Sequence, residues 1–299
     1  MTSDAMTGEA GVAVARDYYD SSDAIEFYST IWGGEDIHVG IYDDTRDIRE
    51  ASATTVDTMA RLLSSVTGAS ERVASDRGAS ETGSNLSQAH VLDIGSGYGG
   101  GARRLVSKHG AGHVTCLNIA EEENARNRKL TGEAGLLDRI DVVDGSFDAL
   151  PFDDGAFDVV WSQDAILHAP DRGAVLDEVA RVLKPGGRFI FTDPMQADGL
   201  SDPSALQPIY DRIHLQNLAS FGFYREGLKA RGFQEVEVQD RSRQLRNHYA
   251  RVAEELDSRR GELSASDEFV DRMIAGLGHW VRGADEGRLT WGIMLFRRI

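Results

Sequence analysis

The sequence predicts an α/β protein: an open, mostly parallel sheet of seven strands with helices on both faces. Three observations predict it. Five short apolar runs alternate with helical stretches between residues 90 and 192. A glycine-rich turn joins the first of these runs to the helix behind it, and two further strand-like runs follow in the last third of the chain. Strands and helices that alternate at this spacing pair in parallel and cover the sheet on both sides.

The five runs are His90–Ile94, His113–Asn118, Ile140–Asp144, Phe157–Trp161 and Arg188–Thr192, with helices beginning near Gly99, Glu121 and Asp171. The two later strands are Gln234–Gln239 and Thr290–Phe296. Upstream, Val14, Tyr18, Ile25, Tyr28 and Trp32 recur at spacings near three, four and seven, which predicts one or two helical segments ending at Gly33-Gly34. A second helix is expected from Ile48 to Leu63. From Ser64 to Ala89, 14 of 26 residues are Ser, Gly or Ala, so 67–88 reads as a flexible surface insertion. Helices near Pro203–Asn217, Arg225–Arg231 and Tyr249–Gly261 read as a helical region inserted before the closing strand.

With 299 residues, 41% of them hydrophobic, the chain has enough apolar material for one large core or a core with a cap. No apolar run reaches the ~18 residues of a membrane span. The first twenty residues lack a basic stretch followed by an apolar one, so no secretory signal is expected. A single cysteine, Cys116, excludes an internal disulfide and fits a reducing cytoplasm. The net charge of −17 argues against nucleic acid and anionic membrane as partners. The 30 Asp and 19 Glu against 28 Arg and 4 Lys fit a salty cytoplasm or a GC-rich genome equally well. No His/Cys/Asp cluster has metal-ligand spacing, so no metal is expected.

The strongest chemical signal is Val91-Leu92-Asp93-Ile94-Gly95-Ser96-Gly97-Tyr98-Gly99-Gly100-Gly101, a strand running into a glycine turn and a helix. Glycines let the backbone approach a ligand, and the free N–H groups at the helix start attract negative charge. Gly95, Gly97 and Gly100 also satisfy GxGxxG, so a dinucleotide site competes with an S-adenosylmethionine (SAM) site. At the end of the second strand stands Asn118, where a dinucleotide enzyme wants an acid for the ribose. Asp144-Gly145-Ser146-Phe147 closes the third strand, and Leu183-Lys184-Pro185-Gly186-Gly187 precedes the fifth.

These motifs, in this order from Val91 to Asp193, resemble the class I SAM-dependent methyltransferases. The resemblance implies a Rossmann-like fold and SAM as the cofactor. It places the methionyl part on Gly95, Ser96 and Gly97, the ribose on Asn118 and Ile119, and the adenine on Asp144, Gly145 and Ser146. The flanks narrow it. Phe27–Gly40, Trp161–His168 with its Asp-Ala-Ile-Leu-His, Phe191–Asp198 and Leu289–Gly292 are similar to sarcosine/dimethylglycine N-methyltransferases of glycine betaine synthesis, and more distantly to phosphoethanolamine methyltransferases. The likeness implies an N-terminal helical lid over 1–66, the insertion at 67–88, and a SAM-binding domain over 89–299 with substrate-binding helical insertions at about 197–230 and 245–283.

It also implies residue roles. Tyr19 and His168 match a latch over the substrate, and Asp164 matches an aspartate near the reacting centre. Tyr28, Ile37, His38 and Gln163 are expected at the cofactor, and Trp32 at the substrate. A substrate carboxylate needs a cation, for which Arg212, beside His214, is the first candidate, with Tyr224 and Arg225 behind it. The expected substrate is a small N-methylated amino acid. Competing readings are a phosphoethanolamine or hydroxyl methyltransferase, a dehydrogenase on the same fold, and a noncatalytic SAM-binding protein.

Overall fold

The computed structural model describes residues 22–75, 86–213 and 215–299. Its sheet has seven strands: β1 (His90–Ile94), β2 (His113–Asn118), β3 (Ile140–Asp144), β4 (Phe157–Gln163), β5 (Leu183–Gln196), β6 (Phe233–Asp240) and β7 (Leu289–Arg298). They lie in the order β3-β2-β1-β4-β5-β7-β6. The first five are parallel, and β7 runs antiparallel between β5 and β6. This is the Rossmann-like sheet the sequence predicted.

Alternation along the strands explains why both faces are covered. Val91, Ile293 and Leu295 point into one buried cluster, while Leu92, Ile94, Met294 and Phe296 point into the other. A strand buried on both faces reads as a continuous apolar run. The first cluster receives helices α2 (Ile48–Ser75), α3 (Gly100–Ser107) and α8 (Ser242–Ser258) through Met59, Leu105 and Val252. The second receives α5 (Arg172–Val182) and α7 (Phe221–Ala230) through Leu176, Val179 and Leu228.

The remaining helices are α1 (Ser22–Thr30), α4 (Glu121–Glu133), α6 (Gln207–Arg212) and α9 (Asp267–Asp285). After α1 the chain turns through Gly33 and Gly34, both at positive φ, as the sequence predicted. In α2, Val56, Met59, Ala60 and Leu63 form the buried face at helical spacing. On its outer side Asp57 takes two bonds from Arg104, at 2.6 and 2.8 Å, tying α2 to α3.

Two helical stretches go beyond the elements read from the sequence. Helix α2 continues past Leu63 to Ser75, and Leu86–Gln88 form a single tight turn with Leu86 buried. The stretch 67–88, read as a flexible insertion, is thus helical over 67–75 and a turn over 86–88, while 76–85 lies outside the described residues. Ala and Ser lower hydrophobicity without breaking helical hydrogen bonding, so loss of apolar residues was a poor sign of loss of helix. Helix α9 falls almost wholly within the helical insertion expected over about 245–283, where Gly276, Gly278 and Gly283 interrupt the apolar pattern that would mark its bounds.

Candidate active site

The strand order reverses between β1 and β4, and ligands of open α/β sheets bind beyond the carboxyl ends of strands at such a point. A cleft of about 1020 Å³ opens there, walled by the turn after β1, the ends of β2 and β3, and the segment after β4. Gly95 and Gly97 adopt φ of +75° and +50°. A Cβ on Gly95 would lie 2.3 Å from the Cβ of Ala165, so the turn admits no side chain there. Asp93, two residues before Gly95, is buried in the cleft wall, and burial pushes its carboxyl up to about 7.

At the end of β2, Asn118 lies beside Asp144 in the parallel register and donates from Nδ2 to Oε2 of Glu123 at 2.7 Å. Glu123 is buried and lines the cleft, although the run Glu121-Glu122-Glu123 looks like no more than the acidic first turn of α4. Asp144 accepts from Asn124 (2.8 Å) and Arg128 (2.6 Å). Against burial, these bonds hold its carboxyl below the usual range. Its neighbours Gly145 and Ser146 line the cleft, and Asp144 itself does not.

The segment between α1 and α2 straps across the end of the sheet. The Val39 amide donates to Oδ2 of Asp164 at 2.6 Å, and the Gly40 amide donates to Nδ1 of His248 at 3.1 Å. The strap brings Ile37 and His38 into the cleft. His38 Nε2 lies 3.5 Å from Oδ1 of Asp36. Burial opposes both charges, but their hydrogen bond and mutual attraction outweigh it, lowering Asp36 and raising His38.

Asp164 follows β4 with φ +53°, the one positive φ among described non-glycine residues. Aspartate tolerates this region better than most residues, and such outliers gather where function fixes a side chain. Trp291 Nε1 donates to its Oδ1 at 2.8 Å. Burial pushes the Asp164 carboxyl up despite the bonds from Val39 and Trp291.

A second cavity, about 540 Å³, meets the first at Ile37, Asp164 and His168. Its walls include four aromatic rings: Tyr28, Trp32, Tyr249 and Trp280. Tyr249 and Trp280 stack at 4.7 Å, and Trp32 stands edge-on to Tyr28 at 5.4 Å. Arg212 is the only Lys or Arg among the described lining residues. The buried indole N–H of Trp32 has no hydrogen-bond partner among the described residues. Burial, with the Arg172 charge adding to it, lowers the His168 imidazole to about 4, so the ring is neutral at pH 7.

The cleft therefore gathers Ile37, His38, Gly95, Ser96, Gly97, Asn118, Ile119, Gly145, Ser146 and Gln163, all expected at the cofactor. The second cavity gathers Trp32 and Arg212, both expected at the substrate. Tyr28, expected at the cofactor, lines the substrate-side cavity instead: it packs edge-on against Trp32, just past the end of α1, and Trp32 packs in turn against Tyr249 of α8. Tyr224 lines neither: it is buried within the second core cluster and donates to Oδ2 of Asp193 at 2.6 Å. Arg225 is likewise outside both and pairs with Glu235 at 2.9 Å. Tyr19 and His214 lie outside the described residues. Sequence reasoning missed Tyr249, Trp280, Asp93 and Glu123. The two aromatic residues sit at ordinary core positions of amphipathic helices, and nothing local marks them.

A glycine cradle without room for a Cβ, and a buried Gln163 Nε2 in the same cleft with no partner among the described residues, fit a ligand that brings its own acceptors close to the backbone, as the methionyl part of SAM does. Fold and site together define a class I SAM-dependent methyltransferase. Residues 92–191 match the family model described as a methyltransferase domain. The chain is 47% identical over 293 residues to a sarcosine/dimethylglycine N-methyltransferase of Halorhodospira halochloris, covering 97% of this chain and 98% of that one. It is 46% identical over 294 residues to a dimethylglycine N-methyltransferase of Parasynechococcus marenigrum, covering 97% and 98%. A Galdieria sulphuraria protein assigned as a sarcosine dimethylglycine methyltransferase superposes with a TM-score of 0.82 at 44% identity, covering 93% of this chain and 98% of that one. The chain belongs to the sarcosine/dimethylglycine N-methyltransferase family.

Proposed function

We propose that the enzyme methylates the nitrogen of sarcosine and dimethylglycine, giving dimethylglycine and glycine betaine. The observation that carries this reading is the second cavity: aromatic walls and one cation, opening at Asp164 and His168 onto the cofactor cleft. Arg212 and the unpartnered Trp32 N–H are donors for the substrate carboxylate. Tyr28, Tyr249 and Trp280 offer ring faces to N-methyl groups and to a cationic nitrogen. Each N-methyl adds up to about 0.8 kcal/mol of apolar burial, which favours dimethylglycine over glycine.

When bound, SAM supplies a methyl group already activated on a sulfonium. The protein's residues must position a neutral amine and exclude water. Gly95, Ser96 and Gly97 would hold the methionyl part, Asn118 and Glu123 the ribose, and Gly145 and Ser146 the adenine side, all of them lining the cleft. Asp93 would be a carboxylate partner for the methionyl ammonium. Asp144 steadies the end of β3.

At pH 7 an amine with a pKa near ~10 is neutral in only about one molecule in 10³, a deficit of roughly 4 kcal/mol. Storing its proton on an imidazole whose pKa is about 4 costs roughly 8 kcal/mol. Binding the free base is the cheaper route: dimethylglycine then brings no proton to remove, and only the ammonium formed from sarcosine has one to lose, which the neutral His168 imidazole accepts in passing and hands to water. Asp164 keeps a negative charge beside the nitrogen as it becomes cationic.

The excess of carboxylates and the osmolyte product fit one setting, the cytoplasm of a cell facing concentrated salt. No helix among the described residues is long and apolar enough to cross a membrane.

The test is an assay with SAM against glycine, sarcosine, dimethylglycine, dimethylaminoethanol and phosphoethanolamine, with products identified by mass. Dimethylglycine and sarcosine are expected to turn over and glycine to lag. Equal turnover of dimethylaminoethanol, which lacks the carboxylate, or preference for phosphoethanolamine, rejects the amino-acid reading.

A further inference from the structure

The buried face of α9 carries Met273, Leu277 and Trp280 at helical spacing, with Gly276 among them, and Leu277 and Trp280 line the second cavity. A glycine inside a helix is unfavourable, so its presence there needs a packing reason. Gly276 has one. A Cβ built on it would lie 2.5 Å from Nη1, 2.8 Å from Cδ and 2.9 Å from Cζ of Arg212. Three atoms of one side chain, from stem to guanidinium, thus lie flat on the helix backbone at the place where a side chain would stand. One residue-turn away, Arg212 Nη2 lies 3.1 Å from Sδ of Met273.

Arg212 therefore does not reach freely into the cavity from the end of α6. It lies in a notch on α9 whose floor is Gly276 and whose side is Met273. Gly278, two residues on in the same helix, has nothing within 4 Å of its missing Cβ and makes no such notch.

We propose that Gly276 is a positioning residue for substrate recognition: it seats the Arg212 guanidinium at the depth where it meets the carboxylate of the N-methylated amino acid. This rests on the reading of Arg212 as the carboxylate's partner and adds the residue that sets its place. Any Cβ at position 276 pushes the guanidinium out of the notch, so the carboxylate end of the substrate is misplaced while the cofactor cleft, to which Gly276 does not contribute, is left alone.

The experiment compares Gly276→Ala, Gly278→Ala and Arg212→Gln for steady-state kinetics with dimethylglycine and for SAM binding by calorimetry. Gly276→Ala is expected to raise KM for dimethylglycine tenfold or more, with kcat within about threefold and SAM affinity unchanged. Gly278→Ala is expected to leave KM alone and to raise the melting temperature slightly. A Gly276→Ala protein that binds SAM and keeps the wild-type KM, while Arg212→Gln raises it, overturns the positioning role and leaves the carboxylate reading standing. If Arg212→Gln also leaves KM unchanged, both fall. Should Gly276→Ala fail to fold, the pair Arg212→Ala and Arg212→Ala/Gly276→Ala decides. Equal melting temperatures in that pair support a glycine needed only to seat Arg212, and a further loss of several degrees in the double variant overturns it.

Discussion

The indole Nε1 of Trp291 donates to Oδ1 of Asp164 at 2.8 Å, so the closing antiparallel strand β7 reaches over β5 to hold a carboxylate at the end of β4. The other oxygen is held by the Val39 amide at 2.6 Å. Asp164 is thereby fixed between the two cavities by one element from each end of the chain. Removing a hydrogen bond to a charged group costs about 1.5–3 kcal/mol, or roughly a 10- to 150-fold factor. Trp291→Phe is expected to lower kcat/KM for dimethylglycine by that order while SAM affinity, read by calorimetry, stays within a fewfold. A variant with unchanged kcat/KM would mean that Asp164 is positioned without its indole partner.

Tyr224 supports the site from behind it. Its hydroxyl donates to Oδ2 of Asp193, and Oδ1 of Asp193 accepts from the amide of Leu167, next to His168, at 3.0 Å. Arg172 holds the Leu167 carbonyl at 2.8 Å from the other side. Tyr224→Phe leaves the ring in the core and removes one bond from this chain. We expect kcat to fall severalfold, stability to fall by about 1–2 kcal/mol, and KM for dimethylglycine to hold. A large rise in KM with kcat intact would restore the substrate-binding role that the sequence had implied.

The cofactor half of the site was legible because its requirements are local. Gly95, Gly97, Asn118 and Gly145 each stand within three residues of a strand end, and an apolar run followed by a glycine turn announces such an end. The substrate half is assembled from α1, α8, α9 and the segments around Leu167 and Arg212, far apart in sequence. Tyr249 and Trp280 occupy apolar helix positions that any core would fill the same way, and the notch at Gly276 has meaning only once Arg212 lies on it. Tyr224 was misplaced for the same reason: a tyrosine near an expected substrate region gives no sign that its hydroxyl turns inward to Asp193.

The pH dependence follows from His168 being neutral. Its pKa of about 4 puts its titration below the working range, so it leaves no inflection near 6.5. What changes above pH 7 is the fraction of free amine, which rises tenfold per pH unit until the substrate pKa near ~10. The expected profile of kcat/KM for dimethylglycine is a slope of one from pH 7 to about 9. An inflection near 6.5 that disappears in His168→Ala would show instead that the histidine titrates in the free enzyme.

The same burial sets the acid stability. His248, in direct bonds from the Gly40 amide and close to the Tyr42 hydroxyl, is pushed down by burial and then by the His38 charge to about 3. Its folded pKa is depressed, so below the unfolded value of ~6.5 the unfolded chain binds the extra proton and stability falls as pH falls toward 3. His168 contributes with the same sign down to about 4. Asp93 and Asp193, each pushed by burial up to about 7, act with the opposite sign over the same range, so the test is a difference between proteins. His248→Gln is expected to lose less melting temperature, or gain more, than wild type between pH 7 and 4, even if it starts from a lower value. An unchanged slope in that variant would assign the histidine's share of the acid sensitivity to other groups.

Glu123 gives the last prediction. An acid at the end of the second strand is the usual acceptor for ribose hydroxyls in cleft sites of this shape, and here that place is held by Asn118. The carboxylate arrives from five residues further on, in the first turn of α4, bonded to Asn118 Nδ2 at 2.7 Å and buried in the cleft wall. Its position near the helix N-terminus favours the negative charge. In the proposed reading Asn118 and Glu123 would act as a pair: the amide orients the carboxylate, and the carboxylate would accept from the ribose. Glu123→Gln keeps the size but replaces one acceptor oxygen with a donor, which sets two N–H groups against each other at Asn118 or turns a donor toward the ribose. SAM and its demethylated product are expected to bind about 10- to 100-fold more weakly, by the 1.5–3 kcal/mol of a charged hydrogen bond, while kcat at saturating SAM changes little. Deoxygenating the cofactor is the control. A SAM analogue lacking the 2′-hydroxyl should bind wild type and Glu123→Gln with nearly equal affinity if the carboxylate meets that hydroxyl, and should retain the full difference if Glu123 serves only to hold Asn118.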